Sequence, residues 1–143
     1  MLPEHSVQIV RWRTQAPVLR VIRTAVFIQE QQVPEELEWD EFDAVSVHAL
    51  AFDIAGQPVG AARLLPDGHI GRMAVLKQWR GKGFGSALLR ALLQELRQRQ
   101  QKKAMLNAQT YAVAFYEKFG FKVCSGEFME AGIPHVQMEL FLE

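Results

Sequence analysis

Apolar positions along the chain fall into two helical stripes and several short alternating runs. Val18, Ile22, Ala25 and Val26, with Phe27, recur at spacings of three and four, which predicts an amphipathic helix over residues 16–30. Pro17 suits the first turn of that helix, where a missing N–H removes no bond. A second stripe, Phe84, Leu88, Ala91 and Leu92, is widened by Leu89, Leu93 and Leu96 and opposed by Ser86, Arg90, Gln94 and Arg97. It predicts a helix over residues 84–100. Val45–Ile54, Val59–Leu65 and His69–Leu76 read as strands separated by the turns Ala55-Gly56-Gln57-Pro58 and Pro66-Asp67-Gly68, an antiparallel meander. Val7–Trp12 reads as a first strand and Ala104–Ala108 as a short later one. Thr110–Phe119 reads as a short helix ended by Gly120, which suits a position needing positive φ. Phe121–Cys124 is a strand, Ser125–Pro134 a long connection, and His135–Leu142 a final strand. The order β-α-βββ-α-β-α-β-β implies an α/β (α+β) fold: a mixed, mostly antiparallel central sheet of six to seven strands with helices on both faces.

Composition narrows the class without changing that layout. The 143 residues suit one domain, residues 1–143; apolar content is 49% and charged content 22%, ordinary values for a globular protein. Net charge is zero, so neither nucleic acid nor an anionic membrane is an expected partner. No run approaches the ~18 apolar residues of a membrane span. Met1 to His5 lacks the basic start and apolar stretch of a signal peptide, and Cys124 stands alone, so a cytoplasmic location is expected and an internal disulfide is excluded. No metal site is expected.

Two stretches carry candidate chemistry. Arg80-Gly81-Lys82-Gly83-Phe84-Gly85-Ser86 lies between a predicted strand and a predicted helix. Glycines allow a tight turn and close backbone approach, and a helix start offers free N–H groups and partial positive charge, so this turn is an anion site suited to phosphates. A Walker loop needs Ser or Thr after Gly-Lys, where this chain has Gly83. A dinucleotide fingerprint needs an acidic residue ~20 positions on, where the chain reads Lys103-Ala104-Met105-Leu106-Asn107. The second stretch is acidic: Glu35, Glu36, Glu38, Asp40, Glu41 and Asp43, with Leu37, Trp39 and Phe42 interleaved. Six carboxylates so close are not expected to be buried together, because like charges repel and desolvation is costly. The segment reads either as a solvated loop with aromatic anchors or as an acidic rim that recruits a cationic amine.

Arg80-Gly81-Lys82-Gly83-Phe84-Gly85 resembles the R/Q-x-x-G-x-G/A motif of the GNAT superfamily of acetyl-CoA-dependent N-acetyltransferases. Ala112-Val113-Ala114-Phe115-Tyr116-Glu117-Lys118-Phe119-Gly120-Phe121 resembles that superfamily's second signature. Val26 to Pro34, leading to Asp40, Asp43 and His48, and Glu127 to His135 are similar to its ElaA-like branch. The resemblance spans the chain and implies the GNAT fold, with acetyl-CoA as the acyl donor and a small-molecule amine as acceptor, joined by direct attack in a ternary complex. It implies that backbone amides of Arg80, Gly81, Lys82, Gly83, Phe84 and Gly85, with Ser86, hold the coenzyme A pyrophosphate. Met73, Ala74 and Val75 are implied to line the pantetheine arm, with Gln109 and Phe115 on its other side, between splayed strands. Gln109 departs from the asparagine that many relatives carry, which puts its hydrogen bond to the coenzyme in question. Tyr116 matches the tyrosine that protonates the departing thiolate.

Acyl transfer asks for such parts in any case. An amine attacks only when deprotonated, the developing oxyanion needs an N–H such as that of Val75, and the thiolate is helped by an acid. Candidates for the base are Glu30, Asp40, Asp43, His48 and His135, of which Glu30 and His135 are the expected ones; His48, inside a strand, reads as a buried neutral histidine. Glu30, Asp40, Asp43 and His135 are also expected at the acceptor pocket. Arg63 and Arg72 sit on central strands, where each needs a substrate carboxylate or a partner such as Glu30 or Asp43. Two other readings share parts of this evidence: a non-catalytic acyl-CoA-binding sensor on the same fold, and a nucleotide-binding oxidoreductase domain. A homodimer through Trp39, Phe42 or the last strands is compatible with the sequence.

Overall fold

The computed structural model describes residues 3–143; Met1 and Leu2, part of the start expected not to be a signal peptide, lie outside them. Strand β1 (Ser6–Arg11) runs straight into helix α1 (Trp12–Arg23). The helix thus begins four residues before the predicted start. Pro17 sits in its interior, where residue 17 can donate no bond to residue 13. Beyond Arg23 the coil widens into a π-helical segment, Thr24–Glu30. A short helix α2 (Glu35–Glu38) follows, then the meander β2 (Val47–Phe52), β3 (Pro58–Leu64) and β4 (His69–Val75). Helix α3 (Phe84–Gln98) leads to β5 (Lys103–Gln109), α4 (Val113–Glu117) and β6 (Lys122–Val123). The chain closes with the hairpin β7 (Phe128–Glu130) and β8 (Ile133–Phe141).

The sheet has eight strands in the order β1-β2-β3-β4-β5-β8-β6, with β7 also on β8. The strand beyond the predicted six to seven is β7, three residues inside the stretch read as a long connection, too short for alternation to reveal. Every pairing is antiparallel except β4 with β5. That parallel pair is brief, only His69 with Met105 and Ile70 with Leu106, after which the two strands part.

Helices cover both faces, as the alternation in the strands requires. Val47, Ala49 and Ala51 of β2 face the α3 leucines Leu88, Leu89, Leu92, Leu93 and Leu96. Leu50 of β2, Ala61 of β3 and Ala74 of β4 face Leu19, Ile22 and Val26 on the other side. Among the described residues no helix is long and apolar enough to cross a membrane.

The acidic segment differs from expectation. Glu38 and Asp43 are 3% and 2% exposed. Their burial is possible because three guanidiniums meet them. Arg23 Nε donates to Glu38 Oε2 (2.7 Å) and Nη1 to Asp43 Oδ1 (2.7 Å). Arg63 Nη1 donates to Asp40 Oδ1 (2.7 Å) and Asp43 Oδ1 (3.0 Å). Arg72 reaches Glu38 Oε2 (3.3 Å) and Asp40 Oδ2 (3.2 Å). Burial by itself raises Asp43, but the hydrogen bonds and charges of Arg23 and Arg63 outweigh it and hold the carboxyl below its usual range. Arg23 also lies between the Trp12 and Trp39 rings, 5.5 and 4.9 Å from their centroids. Trp39 is therefore an anchor of this network.

Two stability outcomes follow. Leu92→Ala, at a fully buried site in the α3 stripe, is expected to lower unfolding free energy by ~2–5 kcal/mol in urea melts. Arg23→Met leaves Glu38 and Asp43 buried without their main partner, and a loss of ~3–5 kcal/mol is expected in the same assay.

Candidate active site

β4 carries a bulge where it parts from β5. Ala61 pairs with Ala74 and Arg63 with Gly71, so β4 has one residue more than β3 across this span. Arg72 takes up the irregularity at φ 48°, a conformation costly for a side-chain-bearing residue. Its ion pairs to Glu38 and Asp40 hold it there. Beyond Gly71 the β5 side of β4 has no strand partner, and a cleft of about 570 Å³ opens between the two strands.

That cleft collects residues from distant parts of the sequence. Met73, Gln109, Tyr116, Asp40, Arg63, Arg72 and His135, all given site roles from the sequence, line it, along with Gln31, Asn107, Tyr111 and Glu130, which were given no role there. The Tyr116 hydroxyl lies 3.9 Å from Met73 Sδ. Burial pushes its pKa up to about 12, so the phenol keeps its proton at neutral pH. Gln109 Nε2 donates to Gln31 Oε1 (3.0 Å), tying the end of β5 to the end of the π-helical segment. Tyr111, 79% exposed, lines the cleft from the turn after β5.

A smaller cleft of about 290 Å³ lies beside the glycine turn, lined by Val75, Trp79, Arg80, Gly81, Gly83, Phe84, Gly85, Ser86 and Phe115. Gly83 is the N-cap of α3 at φ 92°, and Gly81 turns the chain at φ 73°. No side chain caps α3 and no acidic residue occupies its first turn. Ala87 N–H bonds to the Gly83 carbonyl, so the N–H groups of residues 84–86 have no bond along the helix. Among the described residues the buried Trp79 indole nitrogen beside them has no hydrogen-bond partner. This donor set, with Arg80 next to it, fits an anionic group such as a pyrophosphate. Lys82 lies outside the cleft lining, with its ammonium over the Trp79 ring. Its carbonyl is bonded by His5, whose ring also stands edge-on to Phe84, a contact the N-terminal sequence did not signal.

Other expected site residues lie elsewhere. Glu30, expected at the acceptor pocket, pairs with Arg80 through both oxygens (2.6 Å each), outside the lining of the larger cleft. The hydrogen bond from Arg80 lowers its pKa, and the carboxylate is held beside the glycine turn. Asp43 is buried behind Arg63 and Asp40, and Ala74 turns its methyl into the α1-side core. Arg63 and Arg72 are charge-balanced by Asp40, Asp43 and Glu38. His48 is buried against Trp12, and its Nε2 donates to the Asp43 carbonyl (2.9 Å). Burial lowers its affinity for a second proton. His135 does reach the larger cleft, at the start of β8 opposite Gln109.

The sequence and fold comparisons agree with this geometry. The acetyltransferase (GNAT) domain pattern matches residues 4–142. The uncharacterized N-acetyltransferase YjcF of Bacillus subtilis is 43% identical over 121 residues, 82% of this chain and 86% of that protein. An acyl-CoA N-acyltransferase from Pseudomonas aeruginosa superposes with TM-score 0.82 at 30% identity, covering 94% of this chain and 98% of that one. Escherichia coli ElaA gives TM-score 0.82 at 28% identity with the same coverage. A glycine turn at an uncapped helix start, a sheet parted beside it, and a domain match across nearly the whole chain converge, and the protein belongs to the GNAT acetyltransferase family.

Proposed function

We propose that this protein transfers an acetyl group from acetyl-CoA to an amine by direct attack within a ternary complex. The observation that carries the reading is the uncapped N-terminus of α3 placed beside the opening between β4 and β5, with Tyr116 in that opening. In this reading the N–H groups of residues 84–86 and the Arg80 guanidinium bind the pyrophosphate. The unpaired edge of β4 near Met73 and Val75 takes the pantetheine arm as an added strand. Acetyl-CoA supplies an acyl group on a good leaving group, so the chain needs no nucleophile of its own. A backbone N–H of β4, that of Val75, stabilises the developing oxyanion. Tyr116 is the proton donor to the departing sulfur: its burial keeps it protonated, and its hydroxyl already lies near the sulfur of Met73. Glu30 orients Arg80, whose Nε also donates to the Val75 carbonyl (2.9 Å), linking the phosphate turn to the end of β4.

Calorimetric titration with acetyl-CoA is expected to give saturable one-site binding, and no binding at millimolar ligand overturns the reading. Thiol release across a panel of amines is expected; binding without release under any amine leaves the acyl-CoA-binding module. Tyr116→Phe is expected to lower kcat by ~10²-fold with little change in acetyl-CoA affinity, and unchanged turnover removes Tyr116 from the mechanism. Gly83→Ala forces a side chain to φ 92° and sets its Cβ 3.0 Å from the His5 ring. Strain of ~1–2 kcal/mol is expected to weaken acetyl-CoA binding by about tenfold.

A further inference from the structure

His135 is 6% exposed, yet it lines the larger cleft together with Met73 and Tyr116. Its Nδ1 lies 2.7 Å from the Ile133 carbonyl oxygen. A carbonyl only accepts, so Nδ1 carries the ring proton and the lone pair of the neutral imidazole is on Nε2. Nε2 lies 3.5 Å from Glu130 Oε2. The other oxygen of Glu130 accepts from Asn107 Nδ2 (3.0 Å), and Phe128 stacks on the imidazole. Two lone-pair groups thus face each other with no donor between them unless a proton or a ligand N–H supplies one. Glu130 is the charged group within ion-pair distance of His135 among the described residues; β5 brings only the neutral amides of Asn107 and Gln109 to this corner.

Charge bookkeeping at the cleft sharpens the point. Arg23, Arg63 and Arg72 balance Glu38, Asp40 and Asp43. That leaves Glu130, 48% exposed at its side chain, as the cleft carboxylate with no Arg or Lys partner among the described residues. Each of these guanidiniums is already paired with a carboxylate, so a carboxylate on the acceptor would have to compete for it; of their nitrogens, Arg63 Nε is buried without an acceptor among the described residues.

We propose that Glu130 and His135 form the acceptor half of the site: Glu130 docks the ammonium of a cationic amine that carries no carboxylate beside its reacting nitrogen, and His135 Nε2 takes the proton. The proposal rests on the acetyl-transfer reading and names its acceptor class and base. One proton passes from the ammonium to Nε2, leaving a neutral amine and an imidazolium that faces Glu130. The amine lone pair forms the C–N bond while the C–S bond breaks, and the sulfur receives the Tyr116 proton. The surplus proton on the new amide nitrogen returns to the Tyr116 oxygen, and His135 releases its proton to solvent past Glu130. Ammonium and acetyl-CoA give N-acetylamine, coenzyme A thiol and one proton.

The test measures thiol release with acetyl-CoA and matched acceptors: 1,4-diaminobutane against ornithine, and n-butylamine against norvaline, each pair differing by one carboxylate. The amines are expected to exceed the amino acids at least tenfold in kcat/KM; equal or reversed preference overturns the acceptor class. Glu130→Gln is expected to raise KM for 1,4-diaminobutane about tenfold, the loss of one charge-assisted contact, with acetyl-CoA affinity unchanged. His135→Gln is expected to lower kcat ~10²-fold at pH 7. Its rate then climbs about tenfold per pH unit towards the amine's own pKa of ~10, because the acceptor must lose its proton unaided. A wild-type pH profile in His135→Gln, or an unchanged amine KM in Glu130→Gln, overturns the proposal. A direct arm separates it from the activity: the ring 13C signal of His135 is followed as 1,4-diaminobutane is added. A saturable shift that Glu130→Gln abolishes supports the docking site even where no thiol is released, a result that defeats the acetyl-transfer reading alone. No shift in the wild type overturns the docking site.

Discussion

Three arginines and three carboxylates, four of them buried and Arg72 and Asp40 partly so, join α1, the acidic segment, β3 and β4 into one unit. Desolvating six ionised groups is costly, and such a cluster adds little net stability over an apolar equivalent. What it confers is definition. The guanidinium fork of Arg23 accepts no other arrangement of Glu38 and Asp43, and a lysine lacks the geometry to make both contacts. The cluster places the acidic segment as a wall of the cleft and holds Arg72 in its left-handed conformation at the β4 bulge. The bulge falls where β4 parts from β5, and the cleft lies in that separation.

The two halves of the site are built from different physics. The proposed donor side uses backbone: positive-φ glycines, N–H groups without helix partners, and the free edge of a strand. Such groups are rigid because α3 is anchored by a continuous leucine stripe in the core. The acceptor side uses side chains from β5, β7, β8 and the acidic segment. Because the arginine network is charge-balanced, the proposed acceptor side draws its polarity from the few groups outside it, Glu130 and His135 foremost.

What was legible in the sequence was local. The α3 stripe, the three-strand meander and the glycine turn each declare themselves within a dozen residues, through periodicity or through residues that only certain backbones tolerate. Tyr116 and the glycine turn were found because their surroundings in the chain form recognisable signatures. The start of α1, the interior position of Pro17 and the three-residue β7 were missed because packing overrides local preference and so short a strand has no period. Glu30 was assigned to the acceptor pocket, whereas its partner Arg80 lies 50 residues away and draws it to the glycine turn.

The sequence by itself determined the family, the order of the longer elements, the two-faced core and the glycine turn before α3, since all are written in short-range pattern. Only the tertiary structure decided which charges are spent on one another. Arg23 finds Glu38 and Asp43 across 15 and 20 residues, and Glu130 meets Asn107 across 23. Ion pairing depends on distance in space and on the dielectric around each group, and neither has any expression in residue order. Three of the six carboxylates in the acidic segment, Glu38, Asp40 and Asp43, are internal counter-ions, while Glu130, given no role of its own in the sequence reading, lies beside His135 on the neighbouring strand.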